Sequence, residues 1–169
     1  MGMKKLPNPY QVRNEDFITT VYVVCPKCKA KAVILGGQPY KNIKDYEDNV
    51  RFSCTSCGYA LKYANTPIFT VYTNSRGKNI KSRALMLNSP CDPYFGFDVW
   101  YRIESKYGLL WAYNLEHLTV IENYIADTLR NRNAVPYQNN SIGSRLPQWV
   151  KDAKNRMYLL KLIKKSKLL

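Results

Sequence analysis

The sequence predicts an α+β protein whose first third is a small metal-held unit of antiparallel strands, followed by short antiparallel strands and two or three C-terminal helices. Three observations predict it. Four of the five cysteines form two Cys-x-x-Cys pairs, Cys25/Cys28 and Cys54/Cys57. Each pair lies between β-branched or aromatic runs. Beyond Asn114 the apolar residues recur every three or four positions, the helical period. The composition shift after Asn65-Thr66-Pro67 divides the chain into a metal unit over 15–65 and a small α+β domain over 66–169 with a basic last helix.

Taken in order, Phe17 to Val24 (FITTVYVV) reads as a strand entering the first cysteine turn, and Ala30 to Leu35 as its return, ended by Gly36-Gly37. The polar segment Gln38 to Asn49 reads as a loop with one helical turn over Lys41–Tyr46, either a recognition loop or a solvated connection. Val50 to Ser53 enters the second cysteine turn and Tyr59 to Tyr63 leaves it, with Gly58 placed where positive φ is often needed. Two cysteines with two residues between them can curl into a knuckle that aims both sulfurs at one point. Two knuckles, here with 25 residues between them, supply the four thiolates of a tetrahedral zinc site. Such a site has no open coordination position, so Zn2+ bound by Cys25, Cys28, Cys54 and Cys57 is expected to be structural. A dithiol redox pair or an iron centre is the competing reading of the same residues.

This layout over about residues 17–64 resembles the zinc ribbons of general transcription factor IIB type. Lys29 departs from the pattern, standing where a glycine often follows the second cysteine. The later chain is similar to small, poorly characterised bacterial or phage proteins known only as ribbon-containing. Asp92-Pro93-Tyr94-Phe95-Gly96, Leu110 to Asn114 with His117-Leu118, and Leu146 to Trp149 with Ala153 to Arg156 carry that resemblance. It implies a mostly complete family domain and brings no activity with it.

In the second part Ile68 to Tyr72 reads as a strand and Asn74 to Lys78 as a turn. Phe97–Ile103 and Leu109–Tyr113 read as a hairpin joined by Glu104–Gly108. Asn114 fits the N-cap of an amphipathic helix carrying Leu115, Leu118, Ile121, Ile125 and Leu129 and ending near Arg132. His117, in its first turn, is expected to cap or pack, and Cys91 to fill space. Asn133–Arg145 reads as a loop, and Pro147 as the first position of a last helix with a Trp149, Val150, Ala153, Met157, Leu160, Ile163 stripe. Asn155 is a candidate break in that helix, and Asp152 with Arg156 a candidate ion pair.

The chain has 26 Lys and Arg against 12 acids, for a net charge of +14. Residues 61–90 carry five basic residues and no acid, and residues 141–169 are again strongly basic. Such a field favours a polyanion or an acidic protein surface. The leading reading is a zinc-stabilised, non-enzymatic nucleic-acid-binding protein (DNA or RNA), a regulator or accessory subunit. Its phosphate contacts would come from Lys78, Lys81, Arg83, Arg145, Lys151, Lys154, Lys161 and Lys165. A protein-interaction adaptor in a phage-defence or replication complex, with a larger partner, is the alternative. A metal-dependent nuclease is the third reading, with Asp92, Asp98 and Glu104 the closely spaced acids of the later strands. No run approaches the roughly 18 to 20 apolar residues of a membrane helix. The Met1–Pro9 opening lacks the apolar segment of a secretory signal, and the paired cysteines suit a reducing compartment, so the expected location is the cytoplasm without a membrane partner.

Overall fold

The computed structural model describes residues 7–128 and 140–168. Its architecture is α+β, with the four cysteines in an N-terminal antiparallel region and the helices at the C-terminal end. Strands β1 (Thr20–Val24), β2 (Lys31–Leu35), β3 (Arg51–Ser53) and β4 (Ala60–Lys62) form one antiparallel sheet in the order β1-β2-β3-β4. Alternation places Val21, Val23, Ala32, Ile34 and Phe52 in the core. The expected strand from Phe17 starts later, because Asn14–Phe17 coils into a 3-10 turn that buries Phe17.

The polar insertion is more ordered than its composition suggests. It holds two 3-10 turns, Ile43–Asp45 and Glu47–Asn49, and between them Tyr46 is fully buried. Gly37 lets this segment pass close to the core: a Cβ there would sit 2.1 Å from the Ile18 carbonyl oxygen and 2.2 Å from the Tyr94 hydroxyl.

The outer edge of β1 is covered. The Val24 N–H donates to the Asp98 carbonyl, the Trp100 N–H to the Tyr22 carbonyl and the Tyr22 N–H to the Tyr113 carbonyl, at 2.9, 2.8 and 2.8 Å. Val99 pairs with Val23 across this seam. The expected strand Phe97–Ile103 is thereby split. Its first half docks on β1, and its second half is β7 (Tyr101–Ser105), which pairs with β8 (Gly108–Ala112) through a turn shorter than the expected five-residue link.

Helix α1 (Leu115–Ala126) begins as expected. Asn114 Oδ1 accepts the His117 N–H at 2.9 Å, and Asn114 Nδ2 donates to the carbonyls of Phe17 and Thr20. The helix stops at Ala126 rather than near Arg132, with Asp127 extended. Leu118, Ile121 and Ile125 are buried, whereas Leu115 faces solvent and Leu129 lies outside the described residues. Residues 133–139 of the expected loop also lie outside them, and its end instead forms a short turn, α2 (Ile142–Arg145).

The last helical region is broken. Helix α3 (Gln148–Lys151) ends at Asp152, a 3-10 turn follows over Ala153–Asn155, and α4 (Arg156–Ser166) comes next. Buried Asn155 donates from Nδ2 to the Trp149 carbonyl at 2.8 Å, supplying the bond that the broken helix forgoes. The expected Asp152–Arg156 pair does not form: Asp152 accepts from Gln148, and Arg156 donates to the Asp127 carbonyl. One cluster of buried residues draws on both the four-stranded sheet and the later elements.

Candidate functional site

The two knuckles are built alike. In the first, the Cys25 N–H donates to the Ala30 carbonyl and the Lys29 N–H to the Cys25 carbonyl; in the second, Cys54 N–H donates to Tyr59 and Gly58 N–H to Cys54. Lys29 and Gly58 occupy equivalent left-handed positions, at φ 64° and 71°. A glycine takes that conformation freely, whereas a lysine is strained in it.

These turns bring the sulfurs together across the sheet. Cys25 Sγ lies 3.7 Å from Cys57 Sγ, and Cys28 Sγ lies 3.5 Å from Cys54 Sγ. All four ligand atoms fall within 4.8 Å of one another. A tetrahedron with Zn–S bonds of about 2.3 Å has sulfur–sulfur edges of about 3.8 Å, so the spacing fits a zinc ion with small closure. It is far too long for disulfides, which need about 2.05 Å, and all five cysteines are free.

The electrostatics of the cluster point the same way. At Cys25 burial pushes the pKa upward, but hydrogen bonds from the Cys28 and Lys27 backbones and from neighbouring thiols outweigh it and bring the group to about 6. At Cys28 the Ala30 backbone lowers the pKa, and burial together with the thiols of Cys54, Cys57 and Cys25 lifts it to about 12. One sulfur ionises readily and opposes ionisation of the next, a conflict that a divalent cation removes. Cys25 and Cys54 are buried, and Cys28 and Cys57 are exposed. The four cysteines thus form a site suited to a structural zinc ion, with Lys27 Nζ resting 4.0 Å over the Tyr59 ring beside it. Lys31 turns to the far side, donating to the Tyr101 hydroxyl at 3.2 Å among the rings of Tyr22, Trp100 and Tyr101.

The basic residues fall in two regions. The first is a hairpin of β5 (Phe69–Thr73) and β6 (Asn79–Ser82), of which the sequence predicts only the first strand and the turn. Asn74 Oδ1 accepts the N–H groups of Arg76 and Lys78 to close that turn. Arg76, Lys78 and Lys81 are exposed, whereas Arg83 turns inward, donating to the Ala64 carbonyl and lying 3.7 Å from the Glu47 carboxylate. In the second region Lys154, Lys161 and Lys165 are exposed, Arg145 donates to Asn140 at 3.3 Å, and Lys151 donates to the Ser144 carbonyl at 2.9 Å.

The aromatic face of the hairpin escaped the sequence. A bulge between Thr70 and Tyr72 adds one residue, so Phe69 and Tyr72 fall on the same side together with Ile80, while Thr70, Thr73, Asn79 and Lys81 line the other. Phe69 is 55% and Tyr72 58% exposed. The flanks are clamped where the Tyr63 hydroxyl donates to the Ala84 carbonyl at 2.6 Å and Arg83 meets Ala64.

The three acids of the later strands do not share a site. Asp92 is buried and accepts the N–H groups of Tyr94, Phe95 and Phe97, whereas exposed Asp98 and Glu104 both face Arg102. His117 is buried, stacked on Phe17 at 4.8 Å, and its Nδ1 accepts the Tyr113 N–H. Cys91 sits 2.9 Å from Ser89 Oγ. Among the described residues no helix is long and apolar enough to cross a membrane. Comparison of the chain with protein-family models, curated proteins and solved structures returns no match.

Proposed function

We propose that this protein is a zinc-ribbon protein, without catalysis of its own, that binds single-stranded nucleic acid through the β5–β6 hairpin. The observation that carries the reading is the make-up of that arm: exposed Phe69 and Tyr72 on one face, exposed Lys81 on the other, Arg76 and Lys78 at the turn, and no acidic residue anywhere in 61–90. Aromatic rings stack on bases of any sequence, and cations track the phosphates. A two-stranded hairpin on its own is marginally stable, so the clamp at its base, made to Tyr63 and Ala64 just after β4, ties it to the rest of the chain. The exposed lysines of α4 add to the field that draws a polyanion inward.

The test is an anisotropy titration of the zinc-loaded chain with single-stranded and duplex DNA and RNA, at low and then rising salt. The expected result is binding that prefers single strands, shows little sequence preference and weakens steeply with salt. Absence of binding to every one of these at low salt overturns the reading. The exposed apolar residues Ile68, just before the arm, and Val71, at its bulge, favour a second reading, an adaptor docking on a larger protein. A stoichiometric partner that survives nuclease and high salt would select it.

A further inference from the structure

The four-stranded sheet has one edge covered and one open. The outer edge of β1 bonds to the Asp98–Trp100 segment and to Tyr113, whereas β4 has β3 as its one strand neighbour among the described residues. The ladder fixes which groups this leaves over. The Cys54 N–H donates to the Tyr59 carbonyl, and the Tyr63 N–H to the Val50 carbonyl. Hydrogen-bonded pairs alternate along an antiparallel ladder, so Phe52–Leu61 is the bonded pair between them, and Arg51–Lys62 and Ser53–Ala60 are non-bonded. The N–H and C=O groups of Ala60 and Lys62 therefore point away from β3. Among the described residues no other element bonds to them, and both residues are exposed. Two donors and two acceptors stand in a row at the two-residue repeat of a strand.

The face beside this edge carries one sign of charge. Leu35, Arg51 and Lys62 lie side by side on β2, β3 and β4, on the side of the sheet opposite buried Ile34 and Phe52. Arg51 and Lys62 are both exposed and face each other in a non-bonded pair, the closer cross-strand spacing, where like charges repel. Neither enters an ion pair among the described residues. A groove of about 510 Å3 runs over them, bordered also by Asn49 and Asn65 and by no carboxylate. Next along this face, Ser53 and Ala60 are small side chains that leave room for a bulky one.

The repelling cations call for an anion, and the open backbone row calls for donors and acceptors in strand order. Phosphates would answer the cations but bring no donor for the two carbonyls. Phe52, the one ring bordering the groove, is 1% exposed and offers no face to a base. The same edge of a second copy would bring the same cations and be repelled. We propose that β4 binds an extended acidic segment of a partner protein as a fifth, antiparallel strand. A glutamate opposite Lys62 meets that lysine and Arg51, and an apolar residue two positions on packs opposite Ala60, so the segment reads Glu-x-Leu. The proposal concerns a different element from the β5–β6 hairpin and does not rest on the reading of that arm.

The probe is the capped peptide Thr-Glu-Thr-Leu-Thr, followed by nitrogen–proton spectra of the full zinc-loaded chain at the Ala60 and Lys62 amides. Both signals are expected to shift to saturation. A Gln-for-Glu peptide should bind roughly fivefold or more weakly, since it loses the charge-assisted bonds. The same peptide N-methylated at Glu and Leu keeps its charge, loses the two N–H donors and should give no saturable shift. Arg51→Glu with Lys62→Glu should reverse the preference, so that a Lys-for-Glu peptide binds in its place. No saturable shift with the Glu peptide, or equal binding of the Gln or N-methylated peptide, overturns the proposal. Tighter binding of single-stranded oligothymidylate at the same amides overturns it in favour of a phosphate chain. Shifts that appear on concentrating the chain alone overturn it in favour of a second copy.

Discussion

Cys28 and Cys54, separated by 26 positions in the chain, hold their sulfurs 3.5 Å apart on opposite knuckles of one sheet. Neither knuckle closes the site alone, because both close pairs, this one and Cys25 with Cys57, cross from one knuckle to the other. A cation bound by all four sulfurs would therefore join β1–β2 to β3–β4, and its loss should be felt in the fold. One zinc per chain is expected by elemental analysis. Chelation, or Cys54→Ser, should destabilise by about 4 kcal/mol or more, the range associated with loss of a metal. That corresponds to a fall of roughly 8 to 16 °C in Tm at about 2 to 4 °C per kcal/mol. Cys91→Ser should move it little. A thermal scan with and without chelator reads all three.

The matched left-handed positions after each knuckle give a paired test. Lys29→Gly should stabilise by about 1 kcal/mol, since a non-glycine residue is strained there by about 1–2 kcal/mol and glycine's greater unfolded freedom returns part of that. Gly58→Ala should destabilise by a similar amount for the conformational reason alone, because nothing lies within 4 Å of its would-be Cβ. Urea midpoints compare the two at constant zinc.

Asp92 and His117 titrate with opposite effect. Burial lifts the Asp92 carboxyl to about 6 despite the three backbone donors around it. The folded chain then keeps a proton that the unfolded chain has released between about pH 4 and 6, so this group erodes stability as the pH rises through that window. Burial lowers His117 to about 3. The unfolded chain takes up that proton first, below about pH 6.5, so this group erodes stability as the pH falls. Each slope reaches about 1.4 kcal/mol per pH unit, and between pH 4 and 6 they oppose. Relative to the unsubstituted chain, Asp92→Asn should lose stability toward acid and His117→Gln should gain it. Parallel stability–pH profiles for all three proteins would reject this assignment.

Substitutions on the hairpin separate stacking from charge. Phe69→Ala with Tyr72→Ala should weaken single-strand binding by roughly 1–3 kcal/mol per ring with little change in Tm, because both rings are largely exposed. Lys78→Gln with Lys81→Gln should instead flatten the salt dependence by about 0.7 for each phosphate left without its lysine.

Asn114 carries three bonds at one junction: the cap of α1 and two donations to carbonyls ahead of and at the start of β1. Asn114→Ala should cost about 2–3 kcal/mol, above an ordinary cap, because two partly buried carbonyls also lose a donor. Chemical denaturation measures it directly.

Much of this was legible locally. Pairs of cysteines at a spacing of three announce sulfurs that can converge, and the flanking Val, Ile and Tyr runs announce strands, since both signals depend on near neighbours. The cap at Asn114 is of the same kind. What escaped depended on partners far along the chain. Tyr46 looks solvated in its polar segment but is buried, and Val99 belongs to a strand-like run that the sheet edge divides between two partners. Arg83 reads as one more exposed cation until Ala64 and Glu47 draw it inward.

Residue order alone determined the α+β class, the four converging cysteines, the basic excess and the start of the principal helix, because spacing, side-chain chemistry and turn geometry act within a few residues. Tertiary structure decided which aromatic and basic groups stay in water and which are consumed. It set the one-residue bulge that turns Phe69 and Tyr72 to a common face, the end of α1 at Ala126 and the open edge at β4. Those outcomes follow from strand register and from competition for buried space, and both are settled only when distant segments meet.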